Sequence, residues 1–494
     1  MSRRDYPERT IITTWQISFD EIQVKNEEAA WLLRLWGYLD SQELSFELLQ
    51  WRGYESAAPG WLQNNTANEI TFLATIDTLL DYSLIERNDN SYTFSIHRVV
   101  HDWIQASVIG RGDIDLFWTA IATIGLAVPH PDTRDSATIR RRLLQHADQC
   151  LLYWDTANFQ QHLDEAYLTS LDNLGSLYLG LGKLDKAEKV YQQALRGNEA
   201  ALGPDHPNTL ETVKSLAVIY RRLGKFDKSE NMSQQALRGF EAVVGPDNPS
   251  TLQTVNNLGV LYNELGKLDE AEKMHQRALG GYEAVLGPDH TGTLRAVNGL
   301  GNVYSKLGKL GEAEKMYQRA LQGYEAALGP DHPNTLDAVN NLGLLYRQLG
   351  KLEEARNMYQ RALQGYEAVL GPDHTSTLRT VINLGVLYEK LGKLDEAKKM
   401  YQRTLQGYEV ALGPDHISTL QAVNNLGGIY SKLGKLDEGE KMYQRALQGF
   451  KAVLGPDHTS TRKIVANLNI IHKVQRDREA RRGREDVPAG KKIE

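Results

Sequence analysis

The sequence predicts an all-α chain whose larger part is a solenoid of seven stacked helical hairpins, with a smaller domain of helices and short strands before it. Three observations lead there. Gly-Pro-Asp followed by His or Asn recurs with its proline at Pro204, Pro246, Pro288, Pro330, Pro372, Pro414 and Pro456, always 42 residues apart. Self-similarity at a fixed period in this range marks supersecondary units stacked in a row. Within each period the apolar residues fall at helical spacing in two blocks. Finally, 494 residues are too many for one compact core, while 41% hydrophobic and 24% charged residues are ordinary for a folded chain.

In chain order, residues 1–10 are polar, and Ile11–Ile22 reads as a β-rich start running into a helix. Ala29–Leu39 is a strongly apolar helix, Phe46–Leu49 opens another, and Phe72, Ile76, Leu79 and Leu80 mark a third. Ser83–Arg87 and Ser91–Ile96 flank Asn88-Asp89-Asn90, two short strands around a turn. His97 begins a closing helix, with His97 itself expected to pack at the strand–helix junction. Helices followed by such a β-wing predict a winged-helix-like domain over residues 1–108. A helical connector follows at 109–166: Asp115–Val128 and Ser136–Tyr153, separated by Pro129-His130-Pro131, are expected to pair as a divergent hairpin at the start of the array.

The unit Thr251–Gly292 represents the repeat. Leu252, Val255, Leu258, Leu261 and Leu265 give its first helix, which Gly266 stops. Asp269 with Glu272 predicts a capping box for the second helix, which carries Ala271, Met274, Ala278, Tyr282 and Leu286 and ends at Gly287-Pro288. Seven such hairpins fill residues 167–460. Thr461–Val474 copies only a first helix and predicts a capping helix over 461–478, and the mixed-charge tail 479–494 reads as disordered.

These residues resemble the tetratricopeptide repeat (TPR), whose ordinary period is about 34 residues. The match lies in Leu258-Gly259-x-x-Tyr262 followed by Gly266, Ala271 and Ala278. Small residues at Gly259, Ala271 and Ala278 are expected to let helix backbones approach, with Tyr262 filling the space between. The longer unit, with Asn-Asn-Leu-Gly, Gly-Lys-Leu-Asp-Glu-Ala, Tyr-Gln-Arg-Ala-Leu and Leu-Gly-Pro-Asp-His, resembles the kinesin-light-chain subtype over about residues 167–478. The resemblance implies a right-handed superhelix. Thr13–Ile22, Tyr82–Ile85 and Phe94–Val100 resemble the winged-helix end of NB-ARC ATPases, found in fungal NLR-like (STAND-class) receptors that carry such arrays. In that family the histidine corresponding to His97 senses nucleotide phosphates. Here Arg98 replaces the acidic residue, and the ATPase core is absent.

A superhelix of this kind lines its concave groove with the first helices. Comparing the repeats with one another separates frame from lining. The tyrosines Tyr178, Tyr220, Tyr262, Tyr304, Tyr346, Tyr388 and Tyr430 do not vary. One lining position reads Arg221, Asn263, Ser305, Arg347, Glu389, Ser431, and another reads Val218, Asn302, Leu344, Val386, Gly428. Beside them run asparagines, Asn173, Asn257, Asn341, Asn383 and Asn425 in one row and Asn256, Asn298, Asn340 and Asn424 in the next. An amide carries both donor and acceptor, so it pairs with both groups of an extended backbone. In kinesin-light-chain-like repeats, the resemblance implies, asparagines at this place contact peptide. The duller role is to bond neighbouring helices. Arg222, Arg295, Lys306, Arg347, Arg379, Lys390 and Lys432 add a weak preference for acidic partners, interrupted by Glu211, Glu264, Asp337 and Glu389.

Other chemistries find little support. The repeated His206, His290, His332, His374, His416 and His458 stand one per hairpin, and hairpins packed about 8–10 Å apart cannot place them around a zinc ion that needs ligands at about 2 Å. They read as turn or cap residues. No nucleophile elbow or isolated carboxylate pair stands out, so no enzyme activity and no cofactor is expected. No Gly-x-x-x-x-Gly-Lys-Ser/Thr loop is present, which argues against a complete nucleotide switch. A kinesin-light-chain-like cargo adaptor needs a heptad coiled coil that residues 1–166 lack. A net charge of −7 and an apolar Phe72–Leu80 argue against nucleic acid. One cysteine, Cys150, and no apolar leader or spanning run fit a cytoplasmic chain. The expected function is a protein- or peptide-binding scaffold, the sensor end of an NLR-like receptor.

Overall fold

The computed structural model describes residues 5–88, 92–108, 113–130, 133, 136–154, 164–456 and 459–485. It divides into two compact units, residues 1–219 with 234–245 and residues 220–233 with 246–494. No helix among the described residues is long and apolar enough to cross a membrane.

The first unit opens with α1 (Asp5–Lys25), α2 (Glu27–Trp36), α3 (Gly60–Thr66), α4 (Glu69–Asp81) and α5 (Arg98–Trp103). A three-stranded antiparallel sheet joins them, β1 (Leu44–Ser45), β2 (Glu86–Arg87) and β3 (Thr93–Ser95), in the order β1-β3-β2. The expected wing is present, and β1 adds a strand the sequence did not suggest. Phe94 pairs with Leu44 on one side and Arg87 on the other, and its ring stacks on Trp36 at 6.4 Å, which ties the sheet to α2. Asp89 and Asn90 of the expected turn, and Ser91 after it, lie outside the described residues.

Three local expectations need correction. Ile11–Ile22 is helical within α1, not β. Trp15, Phe19 and Ile22 share one face, with Trp15 and Phe19 set against Trp103 at 5.9 and 6.3 Å, so packing overrides the β-branched composition. Phe46–Leu49 is a single tight turn at Glu47–Leu49. His97 is exposed and caps α5, its Nδ1 accepting the Val99 N–H at 3.4 Å. The packed histidine is His101, one turn on, whose Nε2 lies 3.0 Å from the Leu39 carbonyl.

The connector supplies α6 (Ile114–Ala127) and α7 (Ser136–Leu151), which lead to the first hairpin, α8 (Glu165–Gly180) and α9 (Leu184–Leu202). α6 lies against α8 so closely that a Cβ on Gly125 would stand 2.4 Å from the Ser170 carbonyl oxygen. Buried Arg140 of α7 donates to the Pro129 and Ser176 carbonyls at 2.8 and 2.7 Å. Buried Cys150 sits 3.3 Å from the Tyr38 carbonyl, and burial pushes its thiol pKa up, so it stays an unreactive neutral thiol.

The second hairpin, α10 (Pro207–Arg222) and α11 (Phe226–Val243), contributes to both units. The second unit continues with α12 (Pro249–Glu264) and α13 (Leu268–Leu286), α14 (Thr291–Lys306) and α15 (Leu310–Leu328), α16 (Pro333–Gln348) and α17 (Leu352–Val369). Then come α18 (Thr375–Lys390) and α19 (Leu394–Leu412), α20 (Ile417–Lys432) and α21 (Leu436–Leu454), and the final α22 (Thr459–Glu485). The helix expected to end near 478 runs on to Glu485, so the tail is helical that far. Residues 486–494 lie outside the described part.

The repeated histidines begin the first helices. Nδ1 of His290, His332, His374 and His416 accepts the backbone N–H two residues on, at 3.1, 3.2, 3.1 and 3.1 Å. Asn248 does the same through Oδ1 at 2.9 Å, while His458 lies outside the described residues. The second helices lack the expected capping box. α13 starts at Leu268 behind Lys267, whose side chain makes no cap bond, and Asp269 and Glu270 sit in the first turn, where their charge suits the helix dipole. Gly287 ends that helix at φ 87° and ψ 171°, a conformation open to glycine alone.

Glycine also sets the packing within a hairpin. A Cβ on Gly343 would meet the Tyr359 ring at 2.8 Å, and Gly301, Gly385 and Gly427 face Tyr317, Tyr401 and Tyr443 in the same way. The ring filling the space beside this glycine therefore comes from the second helix, with His275 taking its place beside Gly259. Tyr262, expected there, instead lies beneath the Lys267 ammonium at 5.2 Å, as Tyr304 and Tyr346 lie beneath Lys309 and Lys351.

Candidate functional site

In the second unit the positions that vary between repeats form three parallel rows along the first helices. The row at their last turn is tied from each repeat to the next, always one residue beyond the repeat length. Arg221 pairs with Glu264, and Lys306 Nζ donates to the Asn263 carbonyl at 2.5 Å. Ser305 Oγ donates to Gln348 Oε1 at 2.8 Å and Lys390 Nζ to the Arg347 carbonyl at 3.2 Å. Lys432 closes the series on Glu389 at 2.6 Å, and Glu389 also accepts from the Tyr401 hydroxyl at 3.0 Å. Arg221, Lys390 and Glu389 are therefore partly spent on their neighbours. Arg347 is half-buried, and its Nε has no hydrogen-bond partner.

The asparagine rows follow the same rule. Asn341 Nδ2 donates to Asn298 Oδ1 at 3.1 Å, and Asn383 Nδ2 donates to Asn340 Oδ1 at 3.2 Å, each across a repeat boundary. These amides do the bonding between neighbouring helices that is the plainer of the two roles expected. Asn257 makes no side-chain hydrogen bond among the described residues, and it stands half-buried. Asn302 accepts the Tyr317 hydroxyl at 2.8 Å, so it helps to seat that ring. Asn425 lies beside Asn424 and accepts from Gln421 Nε2 at 3.1 Å.

The third row is mostly apolar: Val260, Asn302, Leu344, Val386, Gly428 and, in the final helix, Ile470. All but Ile470 are half-buried, and Ile470 is 62% exposed. Its place in this row is legible by counting one period on from Gly428, a signal hidden while Asn467, Asn469 and Lys473 mark the helix as a polar cap.

The basic residues expected to colour the lining are not an open field. Arg379 pairs with Asp337, and Asp337 also accepts the Tyr366 hydroxyl at 2.6 Å. Arg222 belongs to the same cluster. Arg221 and Arg379 crowd it with like charge, and Asp337 and Glu264 oppose them. His416, its Nδ1 already accepting from Ser418, donates Nε2–H to the Arg222 carbonyl at 2.9 Å. A Cβ on Gly224 would meet Ile417 at 3.1 Å. The turn of the second hairpin thus touches the start of the seventh.

Near the end of the row, α18, α20, α21 and α22 enclose a depression of about 450 Å³ that includes Glu389, Asn425, Gly428, Lys432 and Ile470. Of the asparagines expected to contact peptide, it brings together Asn424 and Asn425.

Comparison with known proteins supplies the family. A tetratricopeptide-repeat model matches residues 166–438 through six overlapping segments, and a second tetratricopeptide-repeat model matches 419–460. Residues 21–109 match a domain of unknown function, DUF7779. A nucleotide-binding leucine-rich repeat (NLR)-like protein of Hyaloscypha variabilis is 31% identical over 205 residues, 40% of this chain but 18% of that protein's length. Among solved structures, NprR in complex with its cognate peptide NprX is similar at TM-score 0.52 and 17% identity, covering 71% of this chain and 92% of that one. The STAND protein with a tetratricopeptide repeat sensor from Pyrococcus horikoshii is similar at TM-score 0.44 and 15% identity, covering 92% and 64%. A putative kinesin light chain of Podospora anserina gives TM-score 0.34 at 20% identity over 42% and 97%.

Proposed function

Because the chain belongs to the tetratricopeptide-repeat family, we propose that its repeats are a non-catalytic scaffold that binds an extended segment of a partner protein along the first helices. The observation that carries this reading is the contrast between frame and lining. Glycine, tyrosine and histidine-cap positions repeat almost without change, while the row Val260, Asn302, Leu344, Val386, Gly428 and Ile470 changes at nearly every step. A solenoid needs the first set in order to stack. Nothing in stacking requires the second to differ.

Extended peptides suit such a surface. The apolar row offers sites for alternate side chains, and amides along its flank offer donors and acceptors to the backbone. Of the residues expected to line the groove, Asn257 and Arg347 keep most of their hydrogen-bonding capacity. Asn341, Asn298, Asn383, Asn302, Arg221, Arg379 and Lys390 contribute through what remains after their bonds to neighbouring repeats. The interleaved Arg379–Asp337, Arg221–Glu264 and Lys432–Glu389 pairs leave only a weak preference for acidic partners. The similarity to an NLR-like protein supports a place for these repeats as the sensor part of a receptor of that kind.

Selection of a displayed library of short random peptides on the full chain tests this. Enriched peptides are expected to lose affinity at least about tenfold when Leu344→Asp is combined with Asn257→Ala, because an apolar contact and a backbone partner are lost together. Retained affinity in that variant, or no enrichment at all, would overturn the reading.

A further inference from the structure

The amide ladder breaks at its C-terminal end, and the break coincides with a hole in the apolar row. Asn341 bonds Asn298 and Asn383 bonds Asn340 across successive boundaries. At the next boundary Asn425 faces the register of Ile382, which cannot accept. One boundary further, Asn467 stands in register with Asn424, yet the bond is not made. Asn424 Oδ1 is buried without a partner, and Asn467 makes no side-chain hydrogen bond among the described residues. The Asn424 amide reaches only Asn425 Oδ1, at 3.5 Å. A buried acceptor left unmade costs free energy that an incoming donor recovers.

Beside these amides the apolar row loses its side chain. Gly428 stands where Leu344 and Val386 stand in earlier repeats, and a Cβ built on it meets only the Tyr443 hydroxyl, at 3.4 Å. Gly428 borders the depression of about 450 Å³, whose lining includes Ile470, Ile471 and Val474 and the amides of Asn424, Asn425 and Asn467. That volume is in the range of small-ligand sites, about 300–1,000 Å³. Of the charges around it, Lys432 holds Glu389 at 2.6 Å, and Arg478 donates to the Gly434 carbonyl at 3.3 Å and keeps its positive charge.

We propose that this depression is the anchor site for the bound segment: it takes one bulky apolar side chain of an extended peptide, with the adjacent backbone N–H donating to Asn424 Oδ1. The inference rests on the peptide-binding reading and adds where the peptide is gripped and by what. The missing side chain at Gly428 is the specificity determinant. A leucine there would occupy part of the space the ligand enters, and the position lies within a helix where an added Cβ makes one ordinary contact, with the Tyr443 hydroxyl.

The test uses the peptides enriched on the unmodified full chain. They are expected to share one large apolar residue. Gly428→Leu should weaken them at least about tenfold, and Asn424→Ala by about fivefold, the effect of one hydrogen bond. The thermal midpoint of Gly428→Leu should be equal or higher, which separates a filled site from a damaged fold. N-acetyl-leucine N-methylamide, followed by ligand-observed NMR, should show saturation transfer from the unmodified chain and none from Gly428→Leu. Should enriched peptides lack a common apolar residue, or bind Gly428→Leu unchanged while Leu344→Asp with Asn257→Ala weakens them, the anchor is elsewhere and the peptide-binding reading survives. An absence of any enriched peptide would sink both.

Discussion

At the scale of single residues, the repeats differ most tellingly where one hairpin carries an unusual group. His275 occupies the place that Tyr317, Tyr359, Tyr401 and Tyr443 hold elsewhere, wholly buried, with Nδ1 at 2.9 Å from Asn256 Oδ1. Burial lowers its pKa to about 4. The unfolded chain therefore takes up the proton first, at the ordinary histidine value of about 6.5, and stability falls as pH drops from there toward 4. The full contribution, present above the unfolded pKa, is about 3 kcal/mol for this ring. His146 in the first unit, also lowered to about 4 by burial, adds a similar sensitivity. His275→Tyr is expected to remove part of the loss of thermal midpoint between neutral and acid pH. An unchanged acid slope would show that the ring does not stay neutral in the fold. The asparagines make a second contrast. Asn341→Ala breaks a bond to Asn298 and should cost about 1 kcal/mol in denaturant unfolding, whereas Asn257→Ala should cost close to nothing.

At the scale of the element, every hairpin but the second, where Ala217 and Ser233 hold these places, is closed by glycine against a ring, and the glycine one position along at 428 is free of that duty. Gly343→Ala would press a methyl into the Tyr359 ring, which is fully buried and has nowhere to go. A loss of about 1–3 kcal/mol is expected, typical of overpacking. Gly428→Ala, in the next repeat but one, should stabilise by up to about 1 kcal/mol, because it restores helix propensity and its Cβ makes only an ordinary contact, with the Tyr443 hydroxyl. Chemical denaturation of the two variants side by side checks both signs. On the second helices, Glu283–Arg319, Glu325–Arg361, Glu367–Arg403 and Glu409–Arg445 repeat at 2.6–2.7 Å with half-exposed partners. Such pairs are worth about 0–1 kcal/mol each and chiefly hold register.

At the scale of the molecule, a hairpin array is stable only through its neighbours, so its ends are its weak points. Ile464, Leu468 and Ile471 of the final helix are buried in one cluster with Val423, Leu436, Tyr443 and Phe450 of the seventh hairpin. Removing residues 459–494 should expose that cluster. Amide exchange is then expected to rise first in α20 and α21 and to reach α12 last. Uniform loss of protection across the array would mean that the unit unfolds as a whole, held by longer contacts such as His416 with Arg222.

Much of this molecule is written in its sequence, because a repeat copies its own evidence. A constant period, glycine stops and helical spacing determined the hairpins, their number and their family, and the histidines after Gly-Pro-Asp were legible as caps. The first domain shows the limit. Its β-branched Ile11–Ile22 became a helix because Trp103, distant in sequence, offered Trp15 and Phe19 a surface. The lining residues show it again. Sequence comparison could say that Arg221, Asn302 and Asn341 vary or recur, but their partners lie in neighbouring elements, and hydrogen bonds across a boundary depend on where side chains end in space. Only the tertiary structure decided that Asn341 and Asn383 are bonded across repeat boundaries, and that the Asn424 acceptor beside Gly428 is not.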